Sequence, residues 1–252
     1  MVDKLRYLLD PSRQGSGRFT YRLRDGRTAV LRKGTTDFRV FAEIFVEQVY
    51  APCIAALPSD LGCVTLLDLG ANIGLSVLYI DRALEVDEII AVEPDPGNFQ
   101  LLSENLRRNG LSNRCITIRA FAGSKHAFAE LHDSGNGAWG MRMGELSDTG
   151  IPVLTLAEIA ALANRSSAKT GAPLLLKCDI EGGERHLFRH IRDWEQLIRY
   201  ILLELHTEFL PVEEMIACLE SSSFEWTVHG TRQPGASIVL LLLERGGSRQ
   251  AS

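Results

Sequence analysis

The stretch Leu66-Leu67-Asp68-Leu69-Gly70-Ala71-Asn72-Ile73-Gly74-Leu75-Ser76 constrains the fold of this chain more than any other. Residues 64–69 form an apolar run of strand length, and Ile73, Val77, Leu78 and Ile80 then recur at helical spacing, so Gly70 to Gly74 is a strand-to-helix turn. Such a turn lets backbone N–H groups meet a ligand with no side chain in the way. Roughly twenty residues on, a second strand at 88–92 ends in Glu93-Pro94-Asp95-Pro96, where an acidic residue grips the ribose hydroxyls of a bound nucleoside. Glu93 is the candidate for that role. The dinucleotide pattern G-x-G-x-x-G needs its second glycine to admit a pyrophosphate, but Asn72 and Leu75 stand at the second and third glycine positions. A nucleoside carrying an amino acid has no pyrophosphate, so the turn suits S-adenosylmethionine better than a nicotinamide dinucleotide.

At 252 residues the chain is long enough for one large α/β core. Mean hydropathy near zero and the absence of any membrane-length apolar run describe a soluble protein, and no signal-peptide core is visible. Cys53, Cys63, Cys115, Cys178 and Cys218 are scattered without paired spacing, which reads as reduced thiols and places the chain in the cytoplasm. The charge is uneven. Residues 1–39 carry ten Lys/Arg against four Asp/Glu, a net of +6, while the remainder carries −11. Such a segment can steer an anionic substrate, or simply balance an acidic body. Neither a nucleic-acid nor a membrane partner is expected, and nothing in the residues selects between a monomer and a homodimer.

Along the chain, 19–24 and 28–32 flank Asp25-Gly26 as a hairpin. Phe38, Phe41, Phe45 and Val49 then predict one amphipathic helix over 38–50. Together these form an N-terminal hairpin and helix cap over residues 1–60. Strand and helix alternate from there to about residue 206. The strands fall at 64–69, 88–92, 115–120, 173–178 and 200–205, and an antiparallel hairpin of 225–228 and 237–243 follows them. This is an α/β, Rossmann-like fold, with a mostly parallel seven-stranded sheet, helices on both faces, and ligands at the carboxyl ends of the strands. The main domain is expected over 61–246, with a polar tail at 247–252. Residues 126–150, rich in glycine around Trp139, read as a mobile substrate-side loop in which Trp139 covers the acceptor. Phe121, at the end of the third strand, borders the adenine.

The candidate chemistry sits on the fourth and fifth strands. Alternation puts Lys177 and Asp179 on one face of an otherwise apolar strand, and a buried charge needs a partner. Glu181 and Glu184 fall at the following helix N-terminus, where capping explains both. Glu204 and His206 share a face of the next strand, so Asp179, Glu204 and His206 crowd one rim of the cleft. A metal held by these three would acidify a hydroxyl, although ordinary hydrogen-bonded packing explains the same residues with no metal.

These segments together resemble the FkbM family of S-adenosylmethionine-dependent methyltransferases. The matching pieces are Arg32-Lys33-Gly34-Thr35-Thr36-Asp37, Leu67-Asp68-Leu69-Gly70-Ala71-Asn72-Ile73-Gly74, Val92-Glu93-Pro94-Asp95-Pro96-Gly97-Asn98-Phe99, Leu176-Lys177-Cys178-Asp179-Ile180-Glu181-Gly182-Gly183-Glu184 and Leu203-Glu204-Leu205-His206. The Lys-x-Asp-x-Glu-Gly-x-Glu block is the most specific, since a generic methyltransferase fold does not require it. One departure is Ala157, where many members carry Asp. The resemblance implies a class I methyltransferase fold and O-methylation of a hydroxyl on a sugar, polyketide or similar natural product. On that basis Asp68, Gly70, Ala71, Asn72, Gly74, Glu93, Pro94, Phe121 and Asp179 are candidates for holding the cofactor. Lys177, Glu181 and Trp139 are candidates for the substrate, and Asp179, Glu204 and His206 for catalysis, with the general base left open among the three. The readings that compete with it are an NAD(P)-dependent oxidoreductase and a cofactor-binding partner protein without catalysis.

Overall fold

The computed structural model describes residues 16–133, 141–163, 172–229 and 237–249. Two antiparallel strands, β1 (Arg18–Arg22) and β2 (Thr28–Arg32), form the expected hairpin. Its cations serve the fold. Arg27 pairs with Asp81, Arg18 with Glu104, and Arg32 with the buried Asp37, so these described charges balance acidic groups of the body.

The single helix expected over 38–50 is not formed. A short helix α1 (Asp37–Phe41) runs into one wide π turn, Ala42–Glu47, and Gln48 then turns left-handed at φ 58° before α2 (Ala51–Ala55). The aromatic spacing is compatible with a regular helix, but the tertiary contacts of Phe41, Phe45 and Tyr50 with Tyr21 and Tyr79 pull the chain out of it. A π turn inside a helical segment is a common mark of a functional site.

The main sheet contains β3 (Val64–Leu69), β4 (Val86–Val92) and β5 (Cys115–Ile118), then β10 (Leu174–Cys178), β11 (Tyr200–His206), β12 (Phe224–His229) and β13 (Ile238–Ser248). Their spatial order is β12-β13-β11-β10-β3-β4-β5. The strands from β11 to β5 are parallel, and β13 runs antiparallel to both of its neighbours. The polar tail expected from 247 begins later, because β13 extends to Ser248 and pairs it with Phe224.

Successive residues of β3 feed opposite cores. Leu66 packs with the N-terminal hairpin, α3 (Leu75–Ala83) and α4 (Pro96–Arg108), whereas Leu67 and Leu69 pack with α5 (Leu156–Ala163), α6 (Glu184–Arg189) and α7 (Val212–Glu220). Burial on both faces is why the strand is mostly apolar, with Thr65 and Asp68 as its two polar residues.

The glycine-rich segment is not one loop. Residues flanking its tip form β7 (Ala127–Asp133) and β8 (Met141–Ser147), joined to β6 (Phe121–Gly123) and β9 (Ile151–Thr155) in a second sheet ordered β6-β9-β7-β8. Trp139, Gly135, Gly137 and Gly140 lie outside the described residues. Among the described residues no helix is long and apolar enough to cross a membrane, and none of the five cysteines forms a disulfide.

Asn105 fastens the hairpin to the body. Fully buried on α4, it accepts from the Val30 amide at 2.7 Å and donates to the carbonyls of Ile73 at 2.8 Å and Val30 at 3.2 Å. Asn105→Ala leaves these buried backbone groups without partners, each a loss of about 1–3 kcal/mol. The expected outcome is a stability loss of about 3 kcal/mol in urea denaturation, with the helical content of the remaining fold retained.

Candidate active site

The strand order reverses between β3 and β10, and a cavity of about 360 Å³ opens there at the carboxyl ends of the strands. Lys177 holds this point together. Opposite Asp68 in the β3–β10 register and only 1 % exposed, its Nζ lies 3.2 Å from Asp68 Oδ1 and 3.5 Å from Asp179 Oδ2, and it donates to the Gly70 carbonyl at 2.8 Å. Burial alone lowers an ammonium pKa, but the two carboxylates outweigh it and hold Lys177 well above the ordinary range. Asp68 also accepts from the Ser76 hydroxyl at 2.5 Å.

Gly70 has no alternative residue. Its φ is +74°, and a Cβ there would sit 1.7 Å from the Asp179 carbonyl oxygen, so the chain after β10 crosses directly over the turn. Gly74, at φ +85°, faces Leu102 of α4 and not the cavity. Asp68 is likewise behind the turn, so both expected cofactor residues support the site from outside its lining.

The turn's amides are not bare, which corrects the sequence reading. Gly70 and Ala71 both donate to the Val92 carbonyl at 3.0 Å, Gly74 donates to Ala71, and Asn72, left-handed at φ 48°, donates to Glu93 Oε2 at 2.8 Å. Glu93 therefore organises the turn as well as facing the cavity. Its Oε1 accepts from the Asp95 amide at 2.9 Å and Asn98 Nδ2 at 3.4 Å. Burial pushes the carboxyl up to about 7, against these hydrogen bonds, which favour the charged form.

Gly70, Ala71, Asn72, Glu93, Pro94, Phe121, Lys177, Asp179, Glu181, Glu204 and His206 all reach the cavity lining. Lys177, expected on the substrate, instead uses its ammonium on Asp68, Asp179 and Gly70. Among the lining residues that the sequence did not single out are Arg39, Glu43, Glu47 and Tyr50 from the cap and Met143 from β8. Their signal was absent because a π turn and a second sheet, neither written in the spacing, bring them to the cavity.

His206 is 5 % exposed, and its Nδ1 lies 3.0 Å from Glu184 Oε1. Burial lowers the imidazole pKa, but Glu184, Asp179 and Glu181 outweigh it and push it up to about 9. Glu184, fully buried, also accepts from the Ile180 and Gly182 amides at 3.1 and 2.7 Å, so it holds the loop before its helix and makes no side-chain cap on the helix itself. Glu204 is pushed up to about 8, first by burial and then by Asp179, while Lys177 and His206 oppose the shift. Among the described residues it makes no hydrogen bond or ion pair.

A reversed, mostly parallel sheet with one antiparallel strand, β13, set inside its edge, an acidic residue after β4 and carboxylates at the ends of β10 and β11, defines a class I, Rossmann-like methyltransferase. The methyltransferase FkbM domain matches residues 68–226, and the chain belongs to this family. It is 26 % identical over 240 residues to the 31-O-demethyl-FK506 methyltransferase FkbM of Streptomyces tacrolimicus, covering 81 % of this chain and 88 % of that protein. It is 41 % identical over 70 residues to methyltransferase sdnD of Sordaria araneosa, a match spanning 28 % of this chain and 25 % of that protein's length. The crystal structure of methyltransferase FkbM from Methylobacillus flagellatus KT shares the fold at a TM-score of 0.50 and 17 % identity, over 83 % of this chain and 52 % of that one.

S-adenosylmethionine is the cofactor that goes with this membership, which sets aside the nicotinamide reading. The residues present fit it. The cavity is within the range for a small-molecule site, Glu93 faces it with acceptor capacity left on its carboxylate, Phe121 and Ala122 offer apolar surface, and Asp179 and Glu204 complement a sulfonium charge.

Lys177→Met strands Asp68 in the interior without its cation, and breaking a buried pair from one side costs about 3–5 kcal/mol. Urea denaturation is expected to show a loss of that size, whereas Lys33→Met, in the polar loop after β2, changes stability by less than about 0.5 kcal/mol.

Proposed function

We propose that the chain is an S-adenosylmethionine-dependent O-methyltransferase acting on a hydroxyl of a small natural product or sugar. The observation that carries this reading is Glu204. Of the three rim candidates, Asp179 is engaged by Lys177 and His206 by Glu184, whereas Glu204 faces the cavity uncommitted. Once ionised, which its pKa of about 8 makes more complete above neutrality, Glu204 can take the proton of an acceptor hydroxyl. The Streptomyces relative, a 31-O-demethyl-FK506 methyltransferase, supports a hydroxyl as target.

When bound, S-adenosylmethionine supplies an electrophilic methyl group. The chain's own work is alignment and proton removal. Glu93 would accept from the ribose hydroxyls, Phe121 would border the adenine, and the turn at Asn72, which Glu93 already holds, would set the ribose end. The cap residues Arg39, Glu43, Glu47 and Tyr50 wall the acceptor side and exclude water. Holding the acceptor oxygen in line converts an encounter into an intramolecular event, worth several kcal/mol. Glu204 then receives the hydroxyl proton. The wall carries more carboxylates than cations, so neutral or cationic acceptors fit it better than anionic ones. Nothing in the reading requires a membrane or a nucleic acid.

Two outcomes test this. Glu204→Gln lowers kcat about 10²–10⁴-fold while leaving affinity for S-adenosylhomocysteine within twofold. The check is methyl incorporation, read as product mass, across a panel of hydroxylated acceptors, and an unchanged rate contradicts the assignment. The second outcome concerns pH. Ribose hydroxyls donate to the ionised form of Glu93, which protonates near 7 in the free protein. Affinity for S-adenosylhomocysteine is therefore flat above pH 7 and falls below it, by up to about tenfold per unit. Glu93→Gln binds more weakly and loses this pH dependence in calorimetry.

A further inference from the structure

On the acceptor side of the cavity, Asp179, Glu181 and His206 each present one donor atom, and these atoms lie within 4.8 Å of one another. His206 Nε2 is 3.6 Å from Glu181 Oε2 and 4.0 Å from Asp179 Oδ1. Donor atoms about 2.1 Å from a common ion lie roughly 3–4 Å apart, so small side-chain rotations close the set.

Two further observations point to a cation. The first is the support behind His206. Its side chain is 7 % exposed, and Nδ1 faces Glu184, which is itself fully buried and held by two backbone amides. A carboxylate behind the imidazole is how proteins orient a metal-ligating histidine, and an arriving ion displaces the Nε2 proton so that this nitrogen becomes a lone-pair donor. Nε2 then points at the two carboxylates. The second is Asp179 Oδ1, which is buried and has no hydrogen-bond partner among the described residues. A buried carboxylate oxygen without a donor is costly, and a cation satisfies it.

We infer that Asp179, Glu181 and His206 form a divalent-cation site beside the acceptor. One imidazole with two carboxylates suits Mn²⁺ or Zn²⁺ better than an all-oxygen ion such as Mg²⁺. The donor set differs from the one weighed from sequence, since Glu181, turned inward by its left-handed backbone at φ 49°, replaces Glu204. Glu204 is thereby left to take a proton. Three protein donors leave coordination positions for acceptor oxygens, and a hydroxyl bound there loses its proton to Glu204 more readily. That consequence rests on the methyl-transfer reading, whereas the site itself does not.

The test uses the full chain freed of metal with a chelator and titrated with MnCl₂, following the free-ion signal by electron paramagnetic resonance. One equivalent of Mn²⁺ is expected to bind and to be displaced by Zn²⁺. Asp179→Asn and His206→Gln each weaken binding at least tenfold, and Glu184→Gln weakens it about 10–100-fold, with circular dichroism confirming that each variant is folded. No uptake by the wild-type chain overturns the site, and so does undiminished uptake by the Asp179→Asn/His206→Gln double variant. Calorimetry with S-adenosylhomocysteine on the same samples separates the two readings. Nucleoside binding without Mn²⁺ uptake defeats the cation site alone, and Mn²⁺ uptake without nucleoside binding defeats the cofactor reading alone.

Discussion

The buried ammonium of Lys177 is the interaction on which the rest of the site depends. It joins the ends of β3 and β10 where the sheet changes direction, contacting Asp68 below the turn, the Gly70 carbonyl in it and Asp179 above it. Each contact fixes a different part. Asp68 braces the turn through Ser76, Gly70 admits the crossing strand end only because it lacks a Cβ, and Asp179 is set at the cavity rim. Removing charges from water is unfavourable unless they are paired with good geometry. The arrangement therefore trades desolvation for a unique register between two strands that must meet to form a pocket.

Glu93 performs the matching task on the other side of the turn. Its carboxylate receives the Asn72 amide and the Asp95 amide, so the loops after β3 and β4 are held by one side chain. Its elevated pKa follows from burial, and it places the group's protonation close to neutrality. A residue that both shapes the loop and faces the cavity ties the cavity's form to the turn without any moving part.

The main sheet was legible because its physics is local. Residues 64–69, buried on both faces, are apolar at four of six positions and so read as a strand. The spacing of Lys177 and Asp179 disclosed a buried charge and its need for a partner. Other features depend on tertiary contacts and left no local trace. Phe38, Phe41 and Phe45 fit a helix that Gln48 ends. Alternation in residues 127–133 was masked by the neighbouring glycines, which hid the second sheet and with it Met143 at the cavity. The turn's amides looked available because only the folded chain shows Val92 and Glu93 receiving them. Of the rim residues, sequence collected Asp179, Glu204 and His206 but could not rank them; the folded chain adds that Asp179 meets Lys177 and His206 meets Glu184.

The most direct measurement is a crystal structure of the chain with S-adenosylhomocysteine. The account requires the ribose hydroxyls within hydrogen-bonding distance of Glu93, the adenine against Phe121, and the sulfur facing the rim of Asp179 and Glu204. A nucleoside lodged elsewhere, or a cavity closed by the protein's own side chains with Glu93 turned away, would contradict it.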